Sequence, residues 1–468
     1  MSKKFTVEVD TLKSMVEEIT PFNSKSNCAQ FDIGTKEPKE NILVSTVTIV
    51  NGGNMLKKEF HANFDGAKAP ICKFNVLLNT LISYLNVLLA YQEDICFSLS
   101  DTEVTLKAGD HAELSLQLIT DAEPAFPISS TNAYAIFQFN TANFLEFARK
   151  GCFLYDEKDH RNIGDRFVFA CNLTVGKIAA YSTNDSAAAR SFIECGMDAT
   201  GRPNFSTCPA FVLYKLKEKC KTLSEETRKQ LEEKIEAATT TYLNSSGKDA
   251  SCIYALCKEE NVDISEHSFS LLVSSFQLLK GVLKGTSFFR MIITDMHCIL
   301  FTDTNSCAMF TLGSTTPSWY KSIFPSIDKL QPLTEVVVDK QTLLHGLSIF
   351  SVVTDSDSTP KLPAHVQIVG NNLILSAQKT KATAACVEMV GDCENLSIYV
   401  FPKLLQTVLN TLNNGNVYLG FKGPSSPIVV RNGSLQDETN STAIVLPVHK
   451  DTSTEETKKE TEAEVSEE

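Results

Sequence analysis

Six apolar stripes of helical spacing, set at a nearly constant interval, constrain this chain more than any other feature of its sequence. They begin near residues 10, 75, 141, 272, 340 and 402, a period of about 65 that is doubled once. Long periods of this kind signal an internally duplicated architecture, in which copies of one supersecondary unit share a core. The last copy is the plainest. Leu404, Leu405, Val408, Leu409 and Leu412 fall on one side of a 3.6-residue period and predict an amphipathic helix. Asn413-Asn414-Gly415 tolerates positive φ, and Val417, Leu419 and Phe421 then alternate as a half-buried strand does. Ile428 to Val430, an Asn432-Gly433 turn and Ala443 to Leu446 add further strands, with Pro427 at the start of the first. The predicted unit is one helix followed by several strands.

Earlier copies repeat it. Leu12, Met15, Val16 and Ile19 share one face of a first helix, followed by Val47 to Val50 and a hairpin turn at Asn51-Gly52-Gly53-Asn54. The second copy opens at Phe74, its helix carried by Leu77, Leu78, Leu81 and Leu85, with three strands between Cys96 and Leu118. The third runs from Phe139 through Phe144, Leu145 and Ala148 into Phe167 to Cys171 and Ile178 to Tyr181. The fourth opens at Phe269 and the fifth at Val336, each again a helical stripe followed by strands. The doubled interval holds an insertion, about 205–263, in which Thr222 and Glu225 read as a capping box ahead of a helix bearing Leu231, Ile235, Ala238 and Tyr242. Pairing the copies predicts an α+β chain of three domains, 1–129, 130–328 and 329–449, joined near Pro124 to Pro127 and Pro325 to Pro332. Each would pack two helices on an antiparallel sheet.

Composition excludes several classes. The chain has 468 residues and a net charge of −13, of which −6 lies in Asp451 to Glu468 with its eight acids and two lysines. That tail, 450–468, is too poor in apolar residues to pack and is expected to be disordered. The remaining −7 rules out a uniformly basic nucleic-acid binder but leaves room for a local basic lining. No apolar run is long enough to span a membrane and no leader is evident, so a soluble cytoplasmic protein is expected. The 14 cysteines include no Cys-x-x-Cys pair and read as reduced core residues. Catalytic signatures are missing too. Gly281 to Ser287 lacks the order of a phosphate loop, no Gly-x-Ser-x-Gly occurs, and Asp156, Asp159 and His160 have no further ligand at metal spacing.

Helix-plus-strand units repeated six times in three domains resemble the bacterial sliding clamp, the beta subunit of DNA polymerase III. The local matches are domain endings: Phe126-Pro127, Thr316-Pro317-Ser318-Trp319-Tyr320 through Phe324-Pro325, and Val445-Leu446-Pro447-Val448. The resemblance spans residues 3 to 450, with the insertion and the tail as departures. It implies a DNA polymerase processivity factor, not an enzyme, that needs no cofactor or metal. Such clamps are head-to-tail homodimers closed into a ring around double-stranded DNA. Their DNA polymerase and clamp loader attach through short apolar peptides. A clamp-like scaffold that binds proteins without encircling DNA is the alternative.

The resemblance also implies sites. DNA-facing cations on or beside the six helices would be Lys13, Lys73, Arg149, Lys150, Lys280, Lys284, Lys340 and Lys403, with Lys25 and Arg161 in loops. Contacts of this kind go to phosphate and weaken with salt. The same cations also read as a solvated face, because Glu17, Glu18 and Glu146 lie among them. Ring closure would use Leu114 and Leu116 at one end and Ile349 and Phe350 at the other, residues that read equally as core. The family's partner groove uses a Thr-Asp-Gly-His-Arg segment and the third-domain ending. This chain has Thr183-Asn184-Asp185-Ser186-Ala187 and Leu446-Pro447-Val448-His449 there, with Pro317, Ile323 and Pro427 completing the wall. Leu446 and Val448 also read as the end of a buried strand. Loss of the family's His and Arg implies a divergent clamp that serves its own polymerase.

Overall fold

The computed structural model describes residues 3–36, 41–65, 69–120, 133–155, 164–184, 186–196, 204–247, 249–354, 363–377, 380–391, 396–433 and 441–448. Phe126-Pro127, the Asp156, Asp159 and His160 cluster, Arg161, Asp185, His449 and the acidic tail lie outside these residues. The chain runs β1 (Lys3–Val7), α1 (Val9–Ile19), β2 (Cys28–Ile33), β3 (Ile42–Asn51), β4 (Asn54–Asn63), β5 (Cys72–Leu77) and α2 (Leu78–Leu88). It continues β6 (Ile95–Leu99), β7 (Glu103–Ala108), β8 (Ala112–Gln117), β9 (Ala135–Asn140), α3 (Thr141–Gly151), β10 (Arg166–Asn172), β11 (Lys177–Thr183), β12 (Ala187–Glu194) and β13 (Phe205–Thr207). Three helices follow, α4 (Pro209–Cys220), α5 (Glu225–Asn244) and α6 (Ser251–Glu259), then β14 (Glu266–Leu272) and α7 (Val273–Val282). Next come β15 (Phe288–Ile293), β16 (His297–Thr302), β17 (Ser306–Thr311), α8 (Tyr320–Asp328), β18 (Thr334–Asp339) and α9 (Lys340–Thr354). The last elements are β19 (Ala364–Val369), β20 (Asn372–Ala377), β21 (Thr380–Gly391), β22 (Ile398–Val400), α10 (Pro402–Thr411), β23 (Asn416–Phe421), β24 (Ile428–Asn432) and β25 (Ser441–Val445).

All six predicted helices are present, as α1, α2, α3, α7, α9 and α10, and each follows directly on a strand. The repeating unit therefore begins one strand earlier than the helical stripes indicate. Leu77, read into the second helix, belongs to β5, which pairs with β2 along its whole length. In the sequence the period-two pattern of Cys72, Phe74 and Val76 runs without punctuation into the leucines of α2, so the two periods merge. The β3–β4 turn forms as its residues require. Gly52 and Gly53 take φ of 55° and 85°, the left-handed values a two-residue hairpin demands, and Asn51 pairs with Asn54. Pro325, expected at a joint, lies inside α8.

The described chain divides into two compact units, 1–146 with 166–178 and 193–316, and 147–165 with 179–192 and 317–468. The first holds a 13-stranded sheet of order β13-β9-β15-β16-β17-β4-β1-β6-β7-β8, with β3 on β4 and β2 between β3 and β5. Its pairs are antiparallel, and helices cover one face. Phe5 stacks on Phe97 at 4.9 Å and Phe31 on Phe74 at 4.9 Å, while Phe139, Phe144 and Phe289 pack with centroids 5.0 to 5.7 Å apart. The second unit carries the order β12-β25-β24-β23-β18-β21-β20-β19-β22. Val336, Leu347, Val366, Leu405, Leu419 and Val445 are among the residues of its core. No helix among the described residues is long and apolar enough to cross a membrane.

One join in the first unit is narrow. β4 meets β17 through four residue pairs, Ser306 with Lys58, Cys307 with Lys57, Ala308 with Leu56 and Met309 with Met55. On the helix side of that join Lys58 and Glu18 form an ion pair at 2.6 Å, with side chains 6% and 2% exposed. Lys58 also donates to the Thr304 carbonyl at 2.7 Å, and the Ser306 hydroxyl donates to the Glu18 carboxylate. Glu18, read from sequence as part of a solvated face, is therefore interior.

The insertion holds three helices around a core of its own, built from Val212, Leu216, Leu231, Ile235, Ile253 and Leu256. The expected capping box is not formed. The Thr222 hydroxyl donates to the Lys219 carbonyl, closing the end of α4, and the residue preceding α5 is Ser224. Where the insertion meets the sheet, His267 of β14 lies among Tyr134, Phe211 and Phe269 at 5.1 to 6.3 Å between ring centroids. Its Nε2 is buried without a hydrogen-bond partner. Burial, and secondarily the charge of Lys215, hold its pKa down at about 4.

Two predictions follow from these buried groups. Glu18→Gln or Lys58→Met alone leaves an uncompensated charge and should cost about 3 to 5 kcal/mol in denaturant unfolding, whereas the double variant should recover most of it. Additive losses in the two single variants would show that the pair is not coupled. For His267, both folded and unfolded states hold a neutral ring above the ordinary imidazole pKa of about 6.5, so nothing changes there. As pH falls from about 6.5 towards 4 only the unfolded chain takes up the proton, and stability should drop by up to about 3 kcal/mol. Melting temperatures at pH 7 and pH 5 should converge in His267→Phe. An equal acid-dependent fall in the variant would assign the effect elsewhere.

Candidate functional site

The second unit gathers every residue read into the partner groove. β25 lies between β12 and β24, with Val445 opposite both Ala187 and Ile428. The strand ends at Val445, which is fully buried, and Leu446 turns outward to 40% exposure. The Leu446 N–H donates to the Ser186 carbonyl at 2.9 Å and the Val448 N–H to the Tyr399 carbonyl at 2.7 Å. Pro427 precedes the strand residue facing Val445 and so borders Leu446. Leu446, Pro447 and Val448 thus lie beyond the buried strand, not within it.

A second segment of this unit is pinned by its own contacts. Tyr181 of β11 stacks on Tyr320 at 4.4 Å and lies 5.3 Å from Phe324. Arg190 of β12 reaches Asp328 with two bonds of 2.6 and 2.7 Å, its guanidinium 4.9 Å above the Phe324 ring. These contacts hold α8 against the strands and set the positions of Pro317 and Ile323, both half-buried. Thr183 is spent on its own turn. Its hydroxyl donates to the Ala187 carbonyl at 2.8 Å, and the Asn184 side chain accepts from the Ala187 N–H at 3.0 Å.

Beside this turn opens a cleft of about 380 Å³ lined by Tyr155, Asn184, Ser186, Phe401, Lys403, Leu404 and Thr407. Sequence reasoning missed Tyr155 and Phe401 and assigned Lys403 to a DNA-facing set. Tyr155 is 43% exposed, a large aromatic left in solvent, and that exposure is its only signal. The cleft offers apolar walls, three hydroxyls, one amide and one cation, which suits a short peptide with apolar anchors.

The cations read as DNA-facing fall into three groups. Lys25, Lys280, Lys284 and Lys403 are exposed, and Lys284 lies 3.8 Å from Glu17. Lys13 donates to Gln92 at 2.6 Å and lies 3.6 Å from Asp10, while Lys73, on β5 and not on a helix, pairs with Asp32 at 2.8 Å. Arg149 and Lys340 instead cap the C-terminal end of α10. Arg149 donates to the Thr411 carbonyl and, at 2.9 Å, to Asn413 Oδ1, and Lys340 donates to the Leu412 carbonyl at 2.7 Å. Such ends attract cations because their carbonyls lack helical partners. Lys340 is 4% exposed, and burial followed by the charge of Arg149 lowers its pKa. It belongs to the interior, so the sequence assignment does not hold for its side chain. Lys150 is half-buried.

Of the residues read as closing a ring, Leu116 and Phe350 are core at 3% and 2% exposure. Leu114 is half-buried on β8, the outermost strand of its sheet, and Ile349 is 41% exposed on α9. No group of three or more potential metal ligands occurs among the described residues.

No family model matches the sequence, and no curated protein sequence does either. Solved structures do match. The DNA polymerase III beta subunit of Thermotoga maritima superposes with a TM-score of 0.67 at 15% identity, over 96% of this chain and 99% of that one. The DNA polymerase sliding clamp of Pseudomonas aeruginosa, solved with a ligand, gives 0.67 at 14% identity, over 96% and 100%. The Helicobacter pylori beta clamp bound to a DNA ligase peptide gives 0.65 at 11% identity, over 95% and 99%. From end to end, then, the chain has the α+β fold of the bacterial DNA polymerase III beta subunit, the sliding clamp.

Proposed function

We propose that this chain is a DNA polymerase processivity factor, a divergent sliding clamp that closes as a head-to-tail homodimer around double-stranded DNA. The observation that carries the reading is the near-complete coverage of clamp chains, with all six repeat helices in place. On this reading the chain divides as 1–129, 130–328 and 329–449, and no catalytic step is involved. Ring closure would join the β8 edge of one protomer to the third division of the next, a heterologous contact that removes exposed strand edges. Lys13, Lys25, Lys280 and Lys284 would face phosphate, bound weakly and without regard to base sequence. A polymerase and a loader would dock through apolar peptides in the groove of Leu446, Pro447, Val448, Pro317, Ile323 and Pro427 and its neighbouring cleft.

The alternative, a protein-binding scaffold that does not encircle DNA, is favoured by one observation. Several of the proposed DNA-facing lysines already have acidic neighbours, as in Lys73 with Asp32 and Lys284 with Glu17.

A single assembly experiment separates the two. Light scattering at micromolar concentration should report twice the 51.5 kDa of one chain, and protein loaded on nicked circular duplex should be lost once the circle is cut. A strict monomer, or equal retention on circle and linear DNA, contradicts the ring. The groove is tested by Leu446→Ala with Pro447→Ser. Because Leu446 is 40% exposed, the double variant should fold and dimerise. It should lose about 2 kcal/mol, roughly thirtyfold, in binding of its polymerase's apolar peptide. Unchanged affinity in a folded dimer would move the docking site elsewhere.

A further inference from the structure

The face of the 13-stranded sheet turned away from its helices carries an uninterrupted cross-strand row that the clamp reading does not use. Gln138 of β9 is paired with Arg290 of β15, Arg290 with Phe301 of β16, and Phe301 with Cys307 of β17. Cys307 is paired with Lys57 of β4, and Lys57 with Thr48 of β3. Directly paired residues project to the same face, so these six side chains form one line about 24 Å long at the usual strand spacing. One row further along, Phe288 is paired with Asn140. Clefts of about 210 Å³, beside Asn140, Asn204 and Phe288, and about 310 Å³, beside Thr46, Lys57 and Asn305, lie at the two ends.

Next to a buried cluster of Met55, Ile292, Ile299 and Met309 on the same face, the open part of this row has a chemistry unusual for a solvated sheet. Phe288 and Phe301 are 52% and 39% exposed, and among the described residues neither ring has an aromatic neighbour. Their neighbouring acids are occupied. Glu59 is held by Lys36 at 3.0 Å, Glu194 by Lys177 at 3.2 Å, and Asp303 accepts from the backbone N–H groups of Ser287 and Phe288. Arg290 and Lys57 are exposed, and neither has a carboxylate partner among the described residues. Across this row and the adjacent one, two open aromatic rings, two uncompensated cations and two side-chain amides are what a flexible polyanion with planar groups requires.

We propose that this row binds single-stranded nucleic acid, with Phe288 and Phe301 stacking bases, Arg290 and Lys57 contacting phosphate, and Gln138 and Asn140 meeting base edges. Its length suits about four nucleotides, the short end of the site sizes such platforms show. The site is separate from the proposed duplex contacts on the helix side, and the strand it takes would be unpaired template or displaced strand beside a polymerase.

The test is fluorescence anisotropy of the full-length protein with a labelled 12-nucleotide thymidine strand, which requires neither ring closure nor a loader. Phe288→Ala with Phe301→Ala should weaken binding at least about fivefold. An abasic strand of the same length should bind the unaltered protein as weakly as the thymidine strand binds that variant. Arg290→Gln and Lys57→Gln should each flatten the slope of log affinity against log salt by about 0.7. Phe301→Tyr should retain binding, and circular dichroism should confirm the fold of each variant. Superimposable titrations for the unaltered protein and the double phenylalanine variant overturn the proposal. So does binding that survives these changes but is abolished by Lys280→Gln with Lys284→Gln. It also falls if a synthetic peptide of residues 451–468 binds through Phe288 and Phe301 while the thymidine strand does not, because the row is then an acidic-peptide site.

Discussion

Continuity of the large sheet depends on the four residue pairs between β4 and β17, and the buried Glu18 and Lys58 pair fixes how those strands meet. Without them residues 1–120 and the strands β15 to β17 would be separate sheets with exposed edges. A buried ion pair is weak evidence for stability, since desolvation offsets much of its attraction. Its clearest physical effect here is on register. A slip of one residue would carry Lys58 to the open face and leave Glu18 without its cation. Hydrogen bonds from Ser306 and Thr304 to the same carboxylate add β17 and the turn before it to that constraint. α1, β4 and β17 are therefore locked by one carboxylate.

The same alternation explains the contrast between adjacent lysines. Lys58 points to the helices and is consumed by the fold, while Lys57 points to the opposite face and has no acidic partner among the described residues. On the helix side, by contrast, acids accompany two of the cations: Asp10 at Lys13 and Glu17 at Lys284. Exposed pairs of this kind contribute little to stability, about 0 to 1 kcal/mol each. They do moderate the local field, so a polyanion approaching that side must compete with resident carboxylates. On the proposed clamp reading, contact with duplex on that side would be weak, salt-sensitive and exchangeable, as sliding requires.

The six helices were legible because Leu, Val and Phe at 3.6-residue spacing leave a signal within eleven residues, as in Leu12, Met15, Val16 and Ile19. The strand before each helix was not, because β5 and β9 flow into the following stripe with no Gly or Pro between them. The insertion showed one helix of three. Pro209 at the first turn of α4 is a start signal for one of the other two, and Ser224, not Thr222, precedes α5. Long-range placement left no such trace. Lys340 reads as a surface cation until Leu412, 72 residues away, supplies the carbonyl that buries it. Tyr155 and Phe401 meet in one cleft from segments that share no pattern in a single sequence.

In the proposed partner groove, the two segments assigned to its walls differ in how they are held. The α8 wall is fixed by the Tyr181, Tyr320 and Phe324 rings and by the two-bond Arg190 to Asp328 pair. The facing wall, Leu446 to Val448, hangs on two backbone hydrogen bonds. Thr183 and Asn184, where the family has a donor-rich segment, are closed on Ala187 and offer little to a ligand. On that proposal polar readout would be reduced, and selectivity would pass to apolar fit. A partner for such a groove would carry aliphatic or aromatic anchors, which need less directional geometry than hydrogen bonds do. On the clamp reading, substitution of the polar segment and retention of the apolar ending would be two sides of one change in recognition chemistry.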